Sequence, residues 1–307
     1  MAMIVNYVRL LRPPQWVKNV FVFAGPVFGR QVFDSAVLGK TLLTFAAFCL
    51  LSSVVYIVND VVDREEDRLH PRKRNRPIAS GAVGAGSAIV VALVLLAVSV
   101  ATLLAVSSAV LVVGLTYFAL MMLYSFALKR RMLLDVIAIS AGFVLRALAG
   151  AVAVPVAVSP WLITCTFTLC LFLGFSKRRC ELAAFADAAE AGLHRKTLLR
   201  YTPELLNHLL SVTAGIAVVT FLLYCMDDRT VAELGTNYLI YTGPLVVYGI
   251  FRYAMLVESG RASGPTDVVL NDLPFVATVI LWSVLAVMIV YLGPDVRVWA
   301  HQWLFGP

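Results

Sequence analysis

Charge is what this 307-residue chain has least of: 14% of its residues are Asp, Glu, Lys or Arg, against 61% hydrophobic. Soluble domains carry about 25% charge, so a water-soluble globular fold is excluded. Histidine occurs four times, and the five cysteines (Cys49, Cys165, Cys170, Cys180, Cys225) form no CxxC pair. Haem, iron–sulfur and zinc signatures are therefore missing. Four of the cysteines sit in apolar runs, as small packing residues do. The start also lacks a short apolar leader with a cleavage site, because Arg9, Arg12 and Lys18 interrupt it. No cleavable signal peptide is expected.

The charge that is present is unevenly spread. From Pro77 to Leu128 there are 52 consecutive uncharged positions. A membrane-spanning helix needs roughly 20, so this run predicts two helices turned near Ser107-Ser108. Thr41–Asn59, Leu205–Met226, Leu234–Phe251 and Leu273–Pro294 are further spans. Met132–Ser176 supplies two more, interrupted only by Asp135 and Arg146, and Pro13–Gly29 a weaker first one carrying Lys18. The expectation is an all-α polytopic membrane protein of about nine transmembrane helices. It forms a single integral membrane domain over residues 1–307, since the longest piece between spans is too short for its own core.

Numbering the loops alternately gathers 20 of the 25 basic residues on one side. The positive-inside rule puts that side, and the N-terminus, in the cytoplasm and the C-terminus outside. A plasma (inner) membrane location is expected. The same side carries 13 of the 18 acidic residues. Topology signalling needs Lys and Arg but not carboxylates, so mixed charge on one face predicts a polar site open to cytoplasmic substrates.

The stretch Asn59-Asp60-Val61-Val62-Asp63-Arg64-Glu65-Glu66-Asp67 carries the strongest chemical signal. At about 100° per residue, Asp60, Asp63 and Asp67 share one helix face within roughly 60°. Three crowded carboxylates repel unless a cation sits between them, and hard oxygen ligands suit Mg²⁺ bound together with substrate phosphates. Asn59 and Asp60 directly follow the apolar run Leu50–Val58, where polar groups are costly and mark function. Arg72, Arg74 and Arg76 follow within His70–Pro77. Alone they would serve equally as a topology signal or lipid-headgroup patch. After a metal-type carboxylate face they read as phosphate recognition.

At these residues the sequence resembles the UbiA superfamily of intramembrane prenyltransferases. Its signature, Asn-Asp-x-x-Asp-x-x-x-Asp with a following Arg-Pro, is matched by Asn59, Asp60, Asp63, Asp67, Arg76 and Pro77. Tyr124 to Lys129 is similar to the family's tyrosine-to-lysine element. The resemblance implies a UbiA-like helical bundle, with Asp60, Asp63 and Asp67 as metal ligands and catalytic residues. One departure stands out. Members that prenylate aromatic rings carry a second Asp-rich motif after the sixth helix, whereas here Gly174–Leu182 is basic, with Lys177, Arg178 and Arg179, and offers only Glu181. Together with Arg12–Asn19 and His70–Gly81, this resembles the branch that transfers phosphoribosyl groups to decaprenyl phosphate.

That branch implies phosphoribosyl pyrophosphate as donor, a polyprenyl monophosphate as acceptor, Mg²⁺ as cofactor and arabinan precursor synthesis as the context. Inversion would give a β-linked 5-phosphoribosyl lipid phosphate. Asn59 would assist the metal ligands. Lys18 and Asn19 could reach a phosphate or anchor the interface with Trp16. Lys177, Arg178 and Glu181 would bind the lipid phosphate or the donor's 5-phosphate. Asp135 and Arg146 lie about three turns apart on one helix face, and Arg146 is a substrate-binding candidate or an inter-helix tether. Asp267 and Asp272 could be polar lid residues. No nucleic-acid partner is expected, and a homo-oligomer is compatible with the sequence. Two rivals stay open: a conventional prenyltransferase acting on a small acceptor, and a transporter for anionic lipids.

Overall fold

The computed structural model describes residues 2–69, 73–154, 159–183, 198, 200–260 and 272–305. The chain is a multi-pass, all-helical membrane protein, and no strand occurs among the described residues. Among the described residues, eight helices are long and apolar enough to cross a bilayer. In chain order the helices that matter for the site are α1 (Ala2–Leu11), α2 (Ala24–Phe28), α3 (Ser35–Val62), α4 (Arg64–Leu69), α5 (Ala85–Val106) and α6 (Ser108–Phe126). They continue with α7 (Leu134–Ala153), α8 (Pro160–Ala183), α9 (Pro203–Met226), α10 (Asp228–Leu234), α11 (Gly243–Glu258) and α12 (Leu273–Phe305).

The break expected at Ser107-Ser108 is real. Ser107 is extended (φ −172°, ψ 158°) and its side chain accepts from the Val110 N–H at 3.1 Å, capping α6. Asp34 caps α3 in the same way, accepting from the amides of Ala36 and Val37. These caps satisfy amides that have no partner in the first helical turn.

The weak first span differs from an α-helix. Pro13–Phe23 is a 3-10 helix that runs into α2. Pro13 and Pro14 supply no N–H, and tighter winding gives more length per residue. At about 2.0 Å per 3-10 residue and 1.5 Å per α residue, Pro13–Phe28 reaches roughly 30 Å, the thickness of the hydrocarbon layer.

Chain contacts divide the protein into two compact units. The first comprises Met1–Pro26, Val32–Lys129 and Gly142–Ala157. Its core packs Val22, Phe48, Leu51, Val55, Leu103, Tyr117 and Met121, with a second cluster around Leu10, Ile57 and Ile78. The second comprises Val27–Gln31, Arg130–Ala141 and Val158–Pro307. Its cores form around Phe172, Phe175, Leu206, Leu210 and Tyr253, and around Phe221, Tyr224, Leu234 and Val290. Ile89, Val90, Leu93, Val94 and Leu104 on α5 are exposed, as lipid-facing residues should be.

One close approach positions the site. A Cβ on Gly150 would lie 1.7 Å from the Val22 carbonyl oxygen, and one on Gly25 would lie 2.7 Å from the Ala151 Cα. The 3-10 segment therefore lies backbone against backbone on α7, and only glycine permits it. Gly150→Ala is expected to lower the melting temperature in detergent, with a cost of about 1–3 kcal/mol for overpacking. An unchanged melt would show that the approach is looser than this.

Candidate active site

All the residues of the acidic signature lie in the first unit. α3 ends at Val62, yet the Asp63 amide still donates to the Asn59 carbonyl and the Asp67 amide to the Asp63 carbonyl, each at 2.8 Å. Helical spacing thus continues through the junction into α4, and the shared face survives. Asp60 and Asp67 are buried, while Glu65 and Glu66 are exposed as their angular positions require. A single guanidinium joins the two buried carboxylates: Arg76 Nη1 donates to Asp60 Oδ1 at 3.0 Å and to Asp67 Oδ2 at 2.5 Å. Arg12 Nη2 adds a second contact to Asp60 Oδ1 at 2.5 Å. Lys129 Nζ grips both oxygens of Asp63, at 2.6 and 2.8 Å.

The three carboxylates are therefore interleaved with three of the chain's own cations. Among the described residues, no group of three or more His, Cys, Asp or Glu side chains is gathered as a metal site. The reason is electrostatic, because crowded carboxylates draw in whatever positive charge is nearest. Burial pushes the Asp67 carboxyl above its ordinary value, against the pull of Arg76. The donor set nonetheless fits a hard divalent cation. Three carboxylates and one amide oxygen lie on consecutive turns, and the buried Asn59 Oδ1 accepts no hydrogen bond.

Arg12 carries a further sign of function. Its backbone is left-handed (φ 54°, ψ 55°), which is uncommon for a residue other than glycine, asparagine or aspartate and costs of order 1–3 kcal/mol. The guanidinium lies 5.0 Å from the centre of the Tyr56 ring. Neither Arg12 nor Tyr56 was marked by spacing. Arg12 lies 48 residues from its partner Asp60, so it stood out only as the first residue of the Arg12–Asn19 stretch and not as a partner of the acidic signature.

Deeper in the same unit lies Arg146. Its Nε donates to Asn19 Oδ1 at 2.7 Å, Nη2 to the Tyr117 hydroxyl at 2.7 Å, and Nη1 to the Gly142 carbonyl at 2.9 Å. The cation also stacks on the rings of Tyr117 and Phe143, at 4.5 and 5.1 Å. Asn19, fully buried, is itself fixed by Cys49 and Ser52. Lys18, half-buried, immediately precedes Asn19. Of the other expected residues in this unit, Tyr124 is half-buried and Arg74 exposed, while Arg72 lies outside the described residues.

The second unit holds its own network. Arg178 Nε lies 2.9 Å from Asp135 Oδ2, and the same guanidinium pairs with Glu181. The Tyr201 hydroxyl donates to Asp135 at 3.0 Å and accepts from the Leu133 amide at 2.9 Å. Arg178 is 2% exposed and Asp135 fully buried, so the pair lies inside the second unit. Lys177 is exposed, 3.9 Å from Glu181 across one helical turn. Asp272 accepts both guanidinium contacts of Arg252 and the Phe275 amide. Those contacts hold its carboxyl below the usual range and make it a helix cap. Asp267 lies outside the described residues.

Comparison with known proteins agrees with this fold. Residues 20–271 match the family described as UbiA prenyltransferase family. A decaprenyl-phosphate phosphoribosyltransferase of Corynebacterium glutamicum is 34% identical over 293 residues, covering 94% of this chain and 87% of that protein. A protein of the same name from Mycobacterium tuberculosis is 34% identical over 88% of this chain and 89% of its own length. Among solved structures, a UbiA homolog from Archaeoglobus fulgidus bound to GPP and Mg²⁺ superposes with a TM-score of 0.72. It is 21% identical and covers 93% of this chain and 99% of that one, which shows a shared fold.

Proposed function

The chain belongs to the UbiA prenyltransferase family, and from that membership we propose that it transfers the 5-phosphoribosyl group of phosphoribosyl pyrophosphate to a polyprenyl monophosphate. The observation that carries this reading is the interleaving of Asp60, Asp63 and Asp67 with Arg12, Arg76 and Lys129. One cluster offers oxygens for a divalent metal and cations for the diphosphate it escorts.

Asn59, Asp60, Asp63 and Asp67 would hold Mg²⁺, which when bound neutralises charge on a departing diphosphate. As the donor enters, Arg12, Arg76 and Lys129 exchange their carboxylate partners for phosphate oxygens. The bond between the anomeric carbon and the diphosphate oxygen breaks, and its electron pair leaves with the diphosphate. A phosphate oxygen of the lipid forms the new bond on the opposite face, which inverts the centre to a β-linked phosphodiester. The nucleophile is already anionic at neutral pH, so no strong general base is required.

The C-terminal half of α8 supports the same donor. In Gly174–Leu182 the carboxylate is Glu181, and it is engaged by Arg178. This is poor material for the second metal-binding motif that prenyl-diphosphate users carry. Lys177 would meet an anionic group there. The protein would act in the plasma membrane with the site facing the cytoplasm, feeding arabinan synthesis.

Calorimetric titration with phosphoribosyl pyrophosphate and Mg²⁺, against geranyl diphosphate and Mg²⁺, tests the donor. Tighter binding of the sugar donor is expected. Binding of geranyl diphosphate alone would favour a conventional prenyltransferase.

A further inference from the structure

The proposed chemistry uses Arg12, Arg76 and Lys129, each paired with a carboxylate, and leaves Arg146 and Lys18 of the same unit unused. Arg146 is 5% exposed, and among the described residues no Asp or Glu pairs with it or with Lys18. Arg146 has five N–H groups, of which Asn19, Tyr117 and Gly142 take three. Asn19 is anchored on Cys49 and Ser52. These precede Asp60 by 11 and 8 residues, so Arg146 lies roughly 12–16 Å deeper along α3 than the acidic cluster.

An unpaired cation at that depth is expensive. If it only tied α7 to the 3-10 segment and α6, a neutral amide would serve with less desolvation. Nor does Arg146 stand alone, since Lys18 immediately precedes Asn19, whose side-chain oxygen accepts from the Arg146 Nε. A buried guanidinium with donors left over, oriented by Tyr117 and Asn19, and a second cation on the residue next to Asn19 describe a receptor for a doubly charged anion.

We propose that Arg146 and Lys18 bind a phosphomonoester dianion, the second anionic group of the reaction besides the diphosphate. This rests on the phosphoribosyl-transfer reading. It has two sources in that chemistry, the 5-phosphate of the sugar donor and the phosphate head of the lipid acceptor. A phosphomonoester carries close to two negative charges at pH 7, matching the two cations. Asn19 and Tyr117 are positioning residues that hold the guanidinium plane toward it.

Binding rather than turnover tests the proposal. The full-length protein in detergent is titrated with ribose 5-phosphate, farnesyl phosphate, and the neutral ribose and farnesol. The wild type is expected to bind a phosphorylated probe and ignore its neutral counterpart. Arg146→Gln and Lys18→Gln should each weaken that binding about 10- to 100-fold, without lowering the melting temperature of the ligand-free protein. Loss confined to ribose 5-phosphate assigns the receptor to the donor, loss confined to farnesyl phosphate assigns it to the acceptor, and loss of both still supports a phosphate receptor. Wild-type affinity in both variants overturns the proposal, as does a lowered melt of Arg146→Gln with affinity kept. So does failure of the wild type to bind either phosphate. If phosphates bind through Arg146 and Lys18 but phosphoribosyl pyrophosphate is never turned over, the transfer reading fails and the receptor stands.

Discussion

Asp60→Asn is expected to reduce phosphoribosyl transfer by about 10³-fold or more. The amide keeps the shape and removes the charge. Asp60 is buried and meets both Arg12 and Arg76, so neutralising it removes a carboxylate of the proposed metal set and leaves two guanidinium groups facing less negative charge. Metal-borne charge neutralisation is worth several kcal/mol, and each 1.36 kcal/mol is a factor of ten. Raising Mg²⁺ should restore little of the rate, because the donor-side cations are misplaced as well. Asp63→Asn should act in the same direction through Lys129. If instead the protein moved anionic lipids, Asp60→Asn would leave transport largely intact and independent of Mg²⁺. Radiolabel assays of both activities on the same variant separate the two.

The largest effect on stability is expected at Asp135. Asp135→Leu takes a buried carboxylate away from Arg178 inside the second unit and removes the acceptor of the Tyr201 hydroxyl. Breaking a buried pair from one side costs about 3–5 kcal/mol. Replacing both partners with apolar residues of similar size is often close to neutral. Asp135→Leu combined with Arg178→Met should therefore recover much of the loss. Thermal melts of the two variants read this directly, and a double variant as unstable as the single one would argue that Arg178 has work beyond the pair.

Much of this architecture could be read from the chain because the relevant signals are local. The uncharged run from Pro77 to Leu128 announced two helices, and Ser107, able to cap the second, marked their boundary. The 3–4-residue spacing of Asp60, Asp63 and Asp67 fixed a common face, and hydrogen bonds through the α3–α4 junction preserve it. Lys177 and Glu181 met as helix neighbours should. What could not be read is the choice of distant partner. Lys129 closes on Asp63 from 66 residues away, and Arg146 on Asn19 from 127. Those pairings follow from how helices pack, and at one point from the missing side chain of Gly150. Sequence showed the charge of Arg178 but not Asp135 beside it. The 3-10 winding of Pro13–Phe23 was hidden for a related reason: two prolines weaken an α-helix without saying what replaces it.

The account stands on the identity of the transferred group. Purified protein in detergent, given Mg²⁺, polyprenyl phosphate and phosphoribosyl pyrophosphate labelled in the ribose, should move label into the lipid fraction. One diphosphate should be released for each lipid labelled, and nothing should happen when the acceptor lacks its phosphate. Label that stays in the aqueous phase, while a labelled prenyl diphosphate yields a prenylated small acceptor, would contradict it.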